Sequence, residues 1–124
     1  MDNPYAANAN LVKPAVEGTL AVLRACQKHG IKRCVITSSI FACAEGYAHG
    51  ERPDPVSESD WSLPKGMQDK KLDYALSKYE SEKAAWDFQR ELPEAERFEI
   101  VTILPGYIMG PAMVGRGFNS GEIV

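Results

Sequence analysis

The amino-acid sequence predicts an α/β protein with a doubly wound parallel sheet. Three observations predict it: two short β-branched runs, each ended by turn residues; helical periodicity before each run; and a long aperiodic stretch after the first strand. Helix, strand, long loop, helix, strand is the order that parallel strands with right-handed crossovers produce.

The first helical segment lies within residues 8–29, where Val12, Val16, Leu20 and Leu23 share one face at spacings of four, four and three. Pro14 fits a first turn but not a helix interior, so regular helix is expected from about Lys13, and Gly30 ends it. Gly18, inside the helix, gives up roughly 0.5–1 kcal/mol relative to alanine and is expected where something packs against the backbone. The run Cys34-Val-Ile-Thr37, between Lys32-Arg33 and Ser38-Ser39, is expected as a strand buried on both faces. Residues 40–72 hold Gly46, Gly50, Pro53, Pro55, Pro64 and Gly66 without a sustained period and are expected as one long loop, of the kind that forms lids or binding loops. Helical periodicity returns from Asp73, the expected N-cap, to Leu92. Ser77, Ser81, Ala84, Ala85 and Phe88 lie on its stripe, with Glu80, Glu82, Lys83 and Arg90 off it. Phe98–Leu104 is the second strand, ended by Pro105-Gly106.

Composition narrows the function. The 124 residues suffice for one domain, and a net charge of -3 with interspersed signs leaves no basic stripe for a nucleic-acid backbone. No stretch approaches the roughly 20 apolar residues that cross a bilayer, and the polar N-terminus lacks a leader's apolar core, so no membrane partner is expected and a cytoplasmic location is. Cys26, Cys34 and Cys43 form neither an even disulfide set nor a zinc spacing and are expected as reduced core thiols. His29 suits the carbonyls that end the first helix, and His49 stands in the loop without companions, so no metal site is expected.

In doubly wound sheets ligands sit beyond the carboxyl ends of the strands, here Thr37-Ser38-Ser39 and Leu104-Pro105-Gly106. Tyr74-Ala-Leu-Ser-Lys78 puts a phenol and an ammonium one turn apart on a single helical face beside those ends. A second Tyr-x-x-x-Lys match, Tyr79 and Lys83, is turned by about 140°. Lys83 follows Glu80 by three residues, as in an ordinary surface ion pair, so Tyr74 and Lys78 are preferred. A serine hydroxyl at a strand end either bonds a ligand oxygen or caps the following loop, and Ser38-Ser39 is placed for either. Trp61 and Trp86 are expected to cover the core, with Trp61 also within reach of a substrate from its loop; Tyr107 and Met109 follow the second strand toward a pocket wall.

Taken together, Lys13–Leu20, Arg33–Ser39, Asp60-Trp61, Tyr74–Lys78, Glu82-Lys-Ala-Ala-Trp86 and Pro105–Pro111 resemble the extended short-chain dehydrogenase/reductase family, within the NAD-dependent epimerase/dehydratase superfamily. The resemblance is strongest to its dihydroflavonol-reductase-like branch, and it implies a Rossmann-type fold, present in part. It implies residues 1–112 as the central and C-terminal part of the NAD(P)-binding domain and 113–124 as the start of a substrate-binding part, with Asn119–Ile123 opening its first helix. The activity implied is NADP-dependent interconversion of a small carbonyl compound and its alcohol, with NAD as the alternative cofactor. Tyr74 would be the acid that protonates the carbonyl oxygen. A phenol ordinarily titrates near about pH 10, and a neighbouring ammonium, here Lys78, favours its anion. Ser39 would orient the carbonyl, with Ser38 the neighbouring choice. Thr37, Ser38, Tyr74, Lys78, Pro105 and Ile108 would meet the cofactor. The family's habit of pairing through the two helices raises a homodimer as an expectation.

Two departures qualify the resemblance. The chain holds no Gly-x-x-Gly-x-x-Gly turn before a helix, whose amides would receive the cofactor pyrophosphate, so the isolated chain is expected to bind cofactor weakly and to lack turnover. A non-catalytic nucleotide-binding or interaction module of the same fold is therefore the alternative. Ile40-Phe-Ala-Cys43 differs from the run that sugar-nucleotide epimerases and dehydratases carry after the serine, which disfavours that further alternative.

Overall fold

The structure, a computed structural model, describes residues 11–108. Helix α1 spans Val12–Lys28. Leu23 on its expected stripe is fully buried, and Val12, Val16 and Leu20 are half-buried. It ends as the sequence requires. Gly30 takes φ +62°, and the amides of Gly30 and Ile31 return to the carbonyls of Gln27 and Cys26 at 3.1 and 3.0 Å. This paired closure uses glycine because a Cβ disfavours that left-handed backbone.

Strands β1 (Arg33–Thr37) and β2 (Glu99–Ile103) pair in parallel, Arg33 opposite Glu99 through Thr37 opposite Ile103. Their connection carries two helices, α2 (Pro64–Asp69) and α3 (Asp73–Glu91). The core gathers Leu23 of α1, Ala85 of α3 and Ile100 of β2, with Leu92 and Phe98 from the turn before β2. Cys26, Cys34, Ile36, Trp86 and Phe88 pack around it. Burial of each large apolar side chain contributes roughly 1.5–3 kcal/mol. Both long helices thus cover the sheet face that carries Cys34, Ile36 and Ile100.

Several sequence expectations meet a different outcome. Strand β1 is covered on one face only, and Val35 on the other is 59% exposed, because α1 and α3 lie on the same side and no second helical layer stands among the described residues. Gly18 meets nothing within 4 Å of where a Cβ would stand; it faces outward and marks no close packing. Residues 40–72 are not one loop. A 3-10 turn at Ile40–Ala42 and the short α2 interrupt them, and Pro64 opens α2 at its first position. Six residues containing a proline and a glycine carry too little periodicity to read as a helix.

Asp73 is the first helical residue of α3 rather than its cap, which is Leu72 with no side-chain bond; an acid in the first turn still complements the helix dipole. Glu82, assigned to the exposed side, is only 5% exposed. It lies under Trp86, whose indole N–H donates to its Oε1 at 3.3 Å. The expected boundary at residues 112 and 113, the helix start at Asn119–Ile123, Pro111 and Met109 lie outside the described residues.

Candidate active site

The parallel ladder continues past both strands and ties their carboxyl ends together. Ser38 N–H donates to the Ile103 carbonyl at 2.8 Å, and Ile40 N–H to the Pro105 carbonyl at 3.0 Å. The serine pair and Pro105 therefore stand side by side above the sheet. Thr37 ends β1 with an exposed side chain.

Ser38 and Ser39 are each 7% exposed but are used differently. Ser39 Oγ caps the Ile40–Ala42 turn by accepting Phe41 N–H at 3.3 Å. An oxygen that accepts in this way keeps its own proton for a second partner. Ser38 Oγ is buried with no hydrogen-bond partner among the described residues, a costly state for a hydroxyl unless a further group meets it.

Helix α3 begins one residue before Tyr74, which sets the phenol beside these strand ends. Ser77 is buried and its hydroxyl donates to the Tyr74 carbonyl at 2.7 Å, tightening the turn that carries the phenol. Lys78 Nζ lies 5.8 Å from the centre of the Tyr74 ring, over its face. Phe41 meets the same ring edge to face, with centres 6.0 Å apart and planes at 89°. Phe41 thus links the serine turn to α3: its amide is held by Ser39 Oγ, its ring meets Tyr74, and Lys78 lies over that same tyrosine. Pro105 is half-buried there, whereas Ile108 and Tyr107 are 68% and 73% exposed beyond it.

The second Tyr-x-x-x-Lys pair has another use. The Tyr79 ring stands edge to face with Trp61 at 5.9 Å, and Lys83 Nζ lies 5.3 Å from the centre of the Trp61 ring. Burial first, then the charges of Glu80 and Asp87, push the Tyr79 phenol upward, against service as a base. Lys83 pairs with Asp87 at 3.8 Å rather than with Glu80. Trp61 therefore packs against Tyr79 and Lys83 of α3, and its carbonyl accepts the Tyr47 hydroxyl at 2.6 Å.

A cavity of about 870 Å³ opens beside α3 and the edge of β2, walled by Cys43, Trp61, Glu82, Trp86, Thr102 and Leu104. None of Ser39, Tyr74 and Lys78 lines it. Burial, then the carboxylates of Glu82 and Asp60, raises the Cys43 thiol. Asp60 is held down by the Ser57 hydroxyl and amide, which close a tight turn on it. All three cysteines are free thiols; burial, then Cys26, raises Cys34. His29 and His49 are both exposed, and backbone amides close the end of α1.

A family model for NAD-binding proteins, described as "Male sterility protein", matches residues 2–122. The chain belongs to this family, a group of extended short-chain dehydrogenases/reductases. Tetraketide alpha-pyrone reductase 1 of Arabidopsis thaliana is 36% identical over 104 residues, 83% of this chain and 30% of that protein. Cinnamoyl-CoA reductase CAD2 of Medicago truncatula is 38% identical over 107 residues, 85% of this chain and 31% of that protein. The crystal structure of Gre2 from Candida albicans in complex with NADPH superposes with a TM-score of 0.64 at 31% identity, covering 91% of this chain and 36% of that one. The fold is therefore the Rossmann-type α/β fold of these extended reductases, in part, and the chain spans about a third of the length of such relatives.

The residues present fit one end of a dinucleotide. A buried Ser38 hydroxyl with no partner among the described residues, the Lys78 ammonium and the half-buried Pro105 are of the kinds that would supply hydrogen-bond partners and an apolar wall to a nicotinamide ribose. Phosphate-binding residues of the glycine-rich kind are not among them.

Two residues that shape the turn beside Tyr74 carry no signal in the sequence: Phe41, which stands out only as part of Ile40-Phe-Ala-Cys43, and Ser62, one polar residue of an aperiodic stretch. A short polar or aromatic residue in an aperiodic stretch carries no local signal of burial; only the fold of residues 43–63 back onto the Ile40–Ala42 turn reveals it.

Proposed function

We propose that this chain carries the proton-transfer centre of an NADP-dependent oxidoreductase that interconverts a small carbonyl compound and its alcohol. The observation that supports the reading is the chain of contacts at the carboxyl end of β1, in which Ser39 Oγ holds Phe41 N–H, the Phe41 ring meets Tyr74, and Lys78 lies over the Tyr74 ring. Thr37, Ser38, Tyr74, Lys78, Pro105 and Ile108 are the residues that would meet the cofactor. NADPH, when bound, would supply the hydride for the carbonyl carbon. Tyr74 Oη holds the proton that goes to the carbonyl oxygen, and Ser39 Oγ donates a hydrogen bond to that oxygen to fix its direction. Lys78, whose Nζ lies over the Tyr74 ring, would favour the phenolate by its charge and would offer its donors to the ribose hydroxyls of a bound cofactor.

The relatives' names support the reading. The two plant proteins are reductases, and the Candida albicans protein is bound to NADPH. Isothermal titration with NADPH and loss of NADPH absorbance in the presence of an aldehyde test it together. Tyr74→Phe is expected to abolish turnover and to keep the parent's NADPH affinity. Equal turnover by that variant would remove Tyr74 as the acid.

The absence of a glycine-rich phosphate turn from the sequence favours a second reading for this length of chain, a cofactor-binding or interaction module without turnover. Binding tighter than about 100 μM, roughly -5.5 kcal/mol, with no absorbance change would support it.

A further inference from the structure

The segment that follows Ser39 is fixed more firmly than a loop beginning needs to be. Ile40 N–H is held by the Pro105 carbonyl, Phe41 N–H by Ser39 Oγ and Ala42 N–H by the Ser39 carbonyl at 2.9 Å. The Phe41 carbonyl accepts the Ser62 hydroxyl at 2.7 Å, and Ser62 is 2% exposed. Ser62 N–H returns to the Ala42 carbonyl at 3.0 Å. Both backbone groups of Phe41 are therefore committed, one toward the site serine and one toward the returning loop. The half-buried phenyl ring projects from this clamped turn onto the Tyr74 ring, while Lys78 lies over that ring's face.

From this geometry we propose that Phe41 is a positioning and specificity-determining residue of the site. It holds the Tyr74 phenol at a fixed angle to Ser39 and fills the space beside the carbonyl position. The inference rests on the reductase reading and narrows its substrate class. With an aromatic ring two residues from Ser39 and in contact with Tyr74, one substituent of the carbonyl must be small. Aldehydes and methyl ketones fit this requirement, whereas ketones with two bulky substituents do not. An aromatic pair at right angles is also directional, because the positive edge of one ring meets the negative face of the other. An aliphatic side chain of similar bulk would fill the space without setting the angle.

The test uses the full chain with Phe41→Ala, Phe41→Leu and Phe41→Tyr, in two measurements. In the first, the protein carries 13C-labelled tyrosine, and the Tyr74 ring signal is assigned by its loss in Tyr74→Phe. That signal is expected to move by more than its line width in Phe41→Ala and Phe41→Leu, and to return toward the parent position in Phe41→Tyr. In the second, NADPH-dependent reduction of an aldehyde is compared with that of an aryl ketone bearing two large substituents. Phe41→Ala is expected to shift the kcat/KM ratio about tenfold toward the bulky ketone, a typical size for a pocket change of a few carbons, with KM for NADPH unchanged. A ratio within about twofold of the parent's would refute the specificity role. An unmoved Tyr74 signal in folded Phe41→Ala or Phe41→Leu protein would refute the positioning role. If the parent chain shows no turnover at all, as loss of the glycine-rich phosphate turn would produce, the specificity role is refuted for this chain, and the Tyr74 signal still decides whether Phe41 positions the phenol.

Discussion

At the scale of single residues, the site depends on one buried hydroxyl that touches no reacting group. Ser62 Oγ accepts Glu45 N–H at 2.8 Å and donates to the Phe41 carbonyl at 2.7 Å, so it joins both arms of the long connection to the turn beyond β1. Ser62→Ala removes both bonds and leaves an amide and a carbonyl without partners. The expected loss is about 2 kcal/mol, since an unsatisfied buried polar group costs more than the net worth of a hydrogen bond. Urea unfolding followed by circular dichroism measures it; an unchanged midpoint would mean that water replaces the hydroxyl at both partners. At this scale the sequence was legible in part. Tyr74, Lys78 and Ser39 stand out as candidates because a phenol, an ammonium and a strand-end hydroxyl are chemically distinctive at fixed spacing. Ser62 and Phe41 do not, because their importance comes from a contact between residues about twenty positions apart, and no local period records such a contact. The two serines of the strand end show the same limit. Their order along the chain could not tell that Ser39 caps the turn while Ser38 Oγ meets no partner among the described residues.

At the scale of elements, glycines separate what periodicity resolved from what it could not. Helix α1 and both strands follow from spacing and β-branching, and they stand within a few residues of their expected limits. The segment between β1 and α3 does not, because its shape is set by a close backbone approach. A Cβ on Gly66 would stand 1.9 Å from the Gly46 carbonyl oxygen, and one on Gly46 would stand 2.1 Å from that of Leu63. Gly46 also takes φ +84°. Gly66 therefore lets α2 lie directly on the loop, and no side chain fits between them. Gly18 in α1 is the opposite case, with open space where a Cβ would go. Two alanine substitutions should accordingly have opposite signs. Gly18→Ala is expected to stabilise the protein by roughly 0.5–1 kcal/mol, through helix propensity and a less disordered unfolded chain. Gly66→Ala is expected to destabilise it by about 2–4 kcal/mol, because backbone on backbone cannot yield as a flexible side chain can. Thermal melts of the two variants beside the parent provide the comparison, and a common sign would contradict the distinction between an outward and a wedged glycine.

At the scale of the whole molecule, the described fold has a covered face and a bare one. The helices α1 and α3 shield Cys34, Ile36 and Ile100, while Arg33, Val35, Thr37, Glu99, Val101 and Ile103 occupy the opposite side of the two strands. Val35 and Ile103 there are 59% and 51% exposed, and the ion pair of Arg33 Nε with Glu99 Oε2 at 2.6 Å closes one end of the row. That exposed pair adds little to stability, since surface ion pairs contribute about 0–1 kcal/mol. The apolar residues matter more, because side chains on an uncovered sheet adsorb dyes and promote association. Val35→Thr with Ile103→Thr keeps β-branching and the backbone ladder while removing much of that apolar surface. The double variant is expected to bind less anilinonaphthalene sulfonate and to sediment with less associated material, while its unfolding free energy changes by no more than about 0.5–1 kcal/mol, because neither side chain is packed into the core. A loss of several kcal/mol would mean that this face is covered in solution, and that the uncovered sheet is not how the protein exists there. Dye binding equal to the parent's in a folded double variant would instead place the adsorbing surface elsewhere, with the cavity between α3 and β2 the next surface to probe through Trp61 and Trp86.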